Sequence, residues 1–122
     1  MYPCPCCGSL TLEEAPGSYE ICGVCGWEDD HAQLRWPTLA GGADAVSLIQ
    51  AQRLLMKRTA VNGPPGEREW TAADHTRSTR EPDWRPIDED VDDFETKDDV
   101  QGTWPADMTT LYWWRPTYWR RA

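Results

Sequence analysis

The sequence predicts a small α+β metal-stapled domain: a zinc-ribbon β-hairpin, a covering helix, an acidic irregular segment and an aromatic C-terminal segment. Three observations predict it. Four of the five cysteines fall into two C-x-x-C pairs near the amino end, and a capped amphipathic stretch begins at Ser47. The third is compositional. The 122 residues suit one domain, but Leu, Ile, Val and Phe together number only 17 and the net charge is -9. Such a balance ordinarily marks disorder. Eight tryptophans, each able to bury a large area, and a metal able to supply folding energy argue the other way. We therefore expect residues 1–66 to form a zinc ribbon plus helix. Residues 67–122, an acidic segment and a Trp-rich one, should pack onto it within one compact domain. No apolar run reaches the roughly 18 residues of a membrane span.

The opening Met1-Tyr2-Pro3-Cys4 lacks a basic start followed by an apolar stretch. It does not read as a secretory signal, so a reducing, cytoplasmic setting is expected, where structural disulfides seldom persist. Five is also an odd number for an all-disulfide scheme. Cys4 pairs naturally with Cys7, and Cys22 with Cys25, each pair followed by glycine, Gly8 and Gly26. A C-x-x-C-G turn aims two thiolates at one point, and glycine accepts the positive φ such a turn needs. Pro5 presets φ in the first turn, where Gly23 takes the equivalent place in the second. Four soft thiolates suit Zn(II), with iron the lesser alternative. A set filled entirely by cysteine has no open position for water, so the ion is expected to be structural. Cys6 is the spare: a substitute ligand for Cys7, an exposed reactive thiol or, as we expect, a bystander beside the metal.

Between the pairs, Leu10 and Leu12 alternate with polar residues, Pro16-Gly17 offers a turn, and Tyr19 and Ile21 alternate again. That pattern predicts a short hairpin joining the two cysteine turns. Trp27-Glu28-Asp29-Asp30-His31 follows. Its carboxylates and His31 are the ligand types of a hydrolytic centre, but neighbours in sequence do not by themselves converge, and a charged loop is the expectation. Gly41-Gly42 lies in no phosphate-loop pattern. The helix starts at Ser47 with Gln50 completing a capping box. Leu48, Ala51 and Leu55, with Leu54 alongside, form its apolar face. Arg53, Lys57 and Arg58 suit its C-terminal end, and Asn62-Gly63-Pro64-Pro65 stops it.

Charge is uneven along the remainder. Residues 67–100 hold 13 acids against five bases, whereas the last 22 residues hold one acid and three bases. The densest stretch runs from Asp88 to Glu95, with Lys97-Asp98-Asp99 after it, and Ile87, Val91, Phe94 and Val100 interrupt it with apolar anchors. Four thiolates around one dication add a further -2, taking the loaded protein to about -11. Phosphate backbones repel such a molecule; a basic protein surface attracts it. In the tail, Tyr112-Trp113-Trp114-Arg115-Pro116 and Tyr118-Trp119 are expected mainly to furnish core in a chain short of aliphatics. Asp107 caps a predicted short helix through Trp114, stopped by Pro116, the alternative being two short strands around Arg115-Pro116.

Tyr2-Pro3-Cys4-Pro5-Cys6-Cys7-Gly8, then Gly17-Ser18-Tyr19-Glu20-Ile21-Cys22, then Trp27-Glu28-Asp29-Asp30 resemble the bacterial CPCC cysteine-rich family. Gly41-Gly42 and Val46-Ser47-Leu48 extend the resemblance into the helix, over the first half of the chain. The resemblance implies a small bacterial intracellular protein with a metal bound by Cys4, Cys7, Cys22 and Cys25. Members of that family tend to appear near polymorphic toxin systems, which implies an immunity protein.

The leading expectation is thus a non-enzymatic, zinc-stapled acidic protein that binds and occludes a basic protein partner, a toxin domain. Its contact residues would be Asp88, Glu89, Asp90, Asp92, Asp93 and Glu95, with Phe94 and Trp84 as anchors. One alternative is a zinc-ribbon nucleic-acid or transcription-complex module using Arg115, Arg120 and Arg121 with Trp113, Trp114 and Trp119. Another is a hydrolase using Asp29, Asp30 and His31.

Overall fold

A computed structural model describes residues 1–57, the helix backbone of 58–62, and residues 79–97 and 103–120. The predicted helix stop at Gly63-Pro64-Pro65, the Arg58 side chain, Asp98, Asp99, Val100 and Arg121 lie outside the described residues.

The hairpin forms, one step earlier in the chain than predicted. Strand β1 (Tyr2–Pro3) runs antiparallel to β2 (Leu10–Leu12), pairing Tyr2 with Leu12 and Pro3 with Leu10 across a bulge. The strand entering the first cysteine turn therefore pairs with the strand leaving it. The other edge of this region takes residues far along the chain: the Leu10 amide donates to Thr79 O at 2.8 Å, and Ser9 bridges Arg80. Tyr19–Ile21, expected opposite Leu10–Leu12, finds that side used and folds back across its own cysteine turn. Tyr19 N–H donates to Asp29 O at 3.0 Å, Asp29 N–H to Glu20 O at 2.9 Å, and Ile21 bridges Glu28. The Glu20 carboxylate accepts from the Glu13 and Glu14 amides and so closes the loop between the two cysteine turns.

Asp30 then starts helix α1 (His31–Arg35), its Oδ1 accepting from Ala32 N–H at 2.8 Å and Gln33 N–H at 3.4 Å. Helix α2 (Leu48–Asn62) opens on the expected capping box: Gln50 N–H donates to Ser47 Oγ, and Ser47 N–H to Gln50 Oε1. Its inward face holds the predicted Leu48, with Ala51 and Leu55 partly buried against the core, but not Leu54. Leu48, Ile49 and Gln52 are buried, whereas Leu54 is 57% exposed. Leu54 sits about 120° around the helix from Leu48, too far to share its arc.

The core joins both halves of the chain: Leu12, Leu34 and Leu48 meet Ile87, Leu111, Tyr112 and Trp113. Buried Gln52 stitches them, donating to Pro5 O at 2.9 Å and accepting from Ile87 N–H at 3.0 Å. Asp107 caps a 3-10 helix that ends at Leu111, not at Trp114 as predicted. Tyr112, Trp113 and Trp114 are all buried. On a helix, three successive side chains fan out by about 100° each, so an irregular turn serves them better. No helix among the described residues is long and apolar enough to cross a membrane.

Candidate metal centre

The two cysteine turns repeat the same hydrogen bonds. In the first, Gly8 N–H donates to Cys4 O and Cys4 N–H to Ser9 O; in the second, Gly26 N–H donates to Cys22 O and Cys22 N–H to Trp27 O. Gly8 and Gly26 adopt φ of +79° and +85°, the left-handed conformation expected of them. The turns face each other. Cys4 Sγ lies 3.6 Å from Cys25 Sγ, Cys7 Sγ lies 3.8 Å from Cys22 Sγ, and all four sulfurs lie within 4.8 Å of one another. A tetrahedral ion with metal–sulfur bonds of about 2.3 Å sets its sulfurs about 3.8 Å apart, so the set fits such an ion.

Electrostatics favour the same reading. Burial pushes the Cys4 thiol well up. Cys7 and Cys25 are raised chiefly through their hydrogen bonds to Cys22, while Cys22, receiving those bonds, is lowered. Thr11 Oγ1 at 3.1 Å and Val24 N–H at 3.4 Å also donate to Cys22 Sγ. Four sulfurs this close, three of them on buried cysteines and Cys25 half-buried, cannot all be thiolates unless a cation balances them. These four could hold a metal ion, and among the described residues they are the one such group of His, Cys, Asp or Glu.

A model of the cysteine-rich CPCC family matches residues 2–67. The chain belongs to the cysteine-rich CPCC family. No curated protein matches it. The span matched by the CPCC family holds both cysteine turns, α1, the Gly41-Gly42 loop and α2. Cys6, the second cysteine of the CPCC signature, is buried and stays outside the four-sulfur group. The carbonyl of Pro5 in that signature is held from two sides, by Gln52 and by Trp84 Nε1–H at 3.3 Å.

The remaining expectations separate. Asp88, Glu89, Asp90 and Asp93 are exposed, and Val91 among them is 75% exposed. Glu89 pairs with Arg53, and Asp93 with Arg120 at 3.0 Å. Asp92 turns inward to hold Arg85 with both oxygens and the Asp88 amide with one. Glu95 is a correction. It is 4% exposed and accepts from Arg35 Nε at 2.9 Å and Trp36 Nε1–H at 2.8 Å, because a buried guanidinium needs a counter-charge. Trp84 is likewise no free anchor: its ring lies over Gly8. Phe94 is half-buried against the core.

Asp29, Asp30 and His31 do not converge. Buried Asp29 accepts from Ser18 Oγ at 2.8 Å, Asp30 caps α1, and His31 stacks edge-on with Tyr19 and Trp104. Trp113 and Trp114 are buried, and Arg115 pairs with Glu81, so these cannot offer a stacking face for bases. Sequence reasoning missed Gln33, which is fully buried. Its Nε2 donates to Leu39, Asp44 and Val46 carbonyls and its Oε1 accepts from Asp44 N–H. The spacing from Asp30 places Gln33 at N3 of α1, but its side-chain partners lie 6 to 13 residues further along and no local pattern names them. Asp44, positioned by that clamp, was missed too. Burial pushes its carboxyl up to about 6, against the Glu28 amide bond and with repulsion from Glu28, Asp30 and Asp29.

Proposed function

We propose that this CPCC protein is a non-enzymatic binding protein. Structural Zn(II) at Cys4, Cys7, Cys22 and Cys25 staples it, and its acidic edge binds and occludes a basic protein partner, a toxin domain in an immunity role. The observation that carries the reading is the division of labour among its charged groups. The four sulfurs close on one another, which leaves no ligand position for chemistry. The acids that remain exposed, Asp88, Glu89, Asp90 and Asp93, crowd one short stretch around the projecting Val91. Acidic residues steer a basic partner and a projecting apolar side chain helps retain it. A net charge of -9 favours the same class of partner. The test is affinity capture from the native host with zinc-loaded protein, comparing wild type with the combined Asp88→Asn, Glu89→Gln and Asp90→Asn variant. Wild type should retain a basic protein released by salt. With that protein purified, the variant should associate about tenfold more slowly at low ionic strength. Capture of an acidic protein, or identical association rates, would overturn the reading.

A further inference from the structure

Helix α2 carries a stripe that the core leaves unfinished. Ile49, Gln52 and Met56 recur at helical spacing, and the first two are buried, whereas Met56 is 55% exposed. Met56 borders a groove of about 390 Å³, lined on its other side by Pro86, Ile87 and the exposed acids of the 88–90 turn. The buried members of that lining are fixed to one another. Gln52 accepts from Ile87 N–H at 3.0 Å and donates to Pro5 O at 2.9 Å, so α2 and the acidic segment hold a set separation.

Charge selects what the groove takes. Asp88, Glu89 and Asp90 line it against one cation, Arg53. Arg53 pairs with Glu89, but both side chains are exposed, so the pair contributes little and yields to a competing cation. Asp90 enters no ion pair among the described residues, and Asp88 Oδ1 accepts from the Asp90 amide at 2.9 Å. Arg85 is taken by both oxygens of Asp92. An acidic or wholly apolar segment seated here would strip water from carboxylates without supplying a counter-charge. A purely cationic segment would leave Met56 in water. A segment with an apolar side chain flanked by lysine or arginine satisfies both sides.

We infer that this groove seats such a basic segment of the partner, its apolar side chain against Met56 and Pro86 and its cations on Asp88 and Asp90. The inference rests on the reading of a basic partner and adds α2 to the contact surface, but its first test does not need that partner. Zinc-loaded protein labelled at methionine methyls and backbone amides is titrated with three blocked peptides, built of lysine and leucine, of lysine and glycine, and of glutamate and leucine. The lysine–leucine peptide should give saturable shifts at the Met56 methyl and the amides of Asp88, Glu89 and Asp90. The lysine–glycine peptide should bind about tenfold more weakly and leave the methyl unmoved, and the glutamate–leucine peptide should shift neither. Met56→Lys should weaken lysine–leucine binding about tenfold. Leu54→Lys, which adds the same charge at the other cavity beside α2, should not. Equal binding of the two lysine peptides, an unmoved Met56 methyl, or equal weakening by the two variants would overturn the inference. If Met56→Lys fails to fold, the three peptides on the wild-type protein still decide. A captured basic partner whose affinity is indifferent to Met56→Lys would overturn the groove assignment and leave the proposed function standing. A groove that takes the lysine–leucine peptide in a protein that captures no basic partner would do the reverse.

Discussion

Gly8 and Gly26 hold the same place in the two cysteine turns and nearly the same φ, yet their surroundings differ. A Cβ at Gly8 would lie 2.5 Å from Trp84 Cδ2, on a ring held by its bond to Pro5 O, whereas a Cβ at Gly26 would meet nothing within 4 Å. Gly26→Ala should therefore cost only the left-handed backbone, about 1–2 kcal/mol. Gly8→Ala adds an overpacking cost of about 1–3 kcal/mol to the same strain. Urea denaturation of the metal-loaded variants measures both, and equal losses would contradict the packing of Trp84. The positive φ of these residues was legible from the C-x-x-C-G spacing. The second reason for glycine at position 8 was not, because Trp84 arrives from 76 positions away. Gly42 repeats the lesson, since a Cβ there would stand 2.5 Å from Asp30 Oδ2.

Among the elements, α1 and the segment after Pro86 are locked by one buried ion pair. Arg35 and Glu95 side chains are 1% and 4% exposed, and the Arg35 guanidinium lies 5.3, 4.6 and 4.8 Å from the rings of Trp36, Trp104 and Trp119. Rings of this kind attract a guanidinium while they exclude water from it. Glu95→Gln should lower stability by about 3–5 kcal/mol, since it leaves that cation buried without its counter-charge. Asp90→Asn, at an exposed position, should change it by less than about 0.5 kcal/mol. Thermal and urea unfolding compare the two; similar effects would mean that Glu95 is not the counter-ion. In sequence the two acids look alike, both within one acidic run. What separates them is the partner each finds, and Arg35 is 60 residues away from Glu95.

At the scale of the whole molecule, an ion held by the four cysteines would share the work of folding with the aromatic core. Structural zinc contributes about 10–16 kcal/mol in small domains, as much as the entire net stability of many proteins. A strong chelator should therefore abolish the near-ultraviolet circular dichroism of the buried tryptophans, and zinc should restore it. Cys6→Ser should retain one ion per chain by elemental analysis, and Cys22→Ser should lose it, because only the second removes a sulfur from the group. Near-ultraviolet signals indifferent to the chelator, or an ion lost from Cys6→Ser, would contradict the four-sulfur assignment. The aromatic C-terminal segment answers the shortage of aliphatics: Leu111, Tyr112, Trp113, Trp114 and Tyr118 are all buried.

By itself the sequence determined whatever depends on close neighbours along the chain: two cysteine turns with their glycines, the Ser47 capping box and the Asp107 cap. It also determined that aromatic rings would do the work of missing aliphatics. Only the tertiary structure decided what depends on distant partners. It set which strand crosses which cysteine turn, that Leu54 of α2 stays outside the core, and which acids of the 88–95 run stay in water. Turn and cap geometry is fixed within a few residues, whereas strand pairing and the fate of a carboxylate depend on a strand edge or an arginine arriving from elsewhere in the chain.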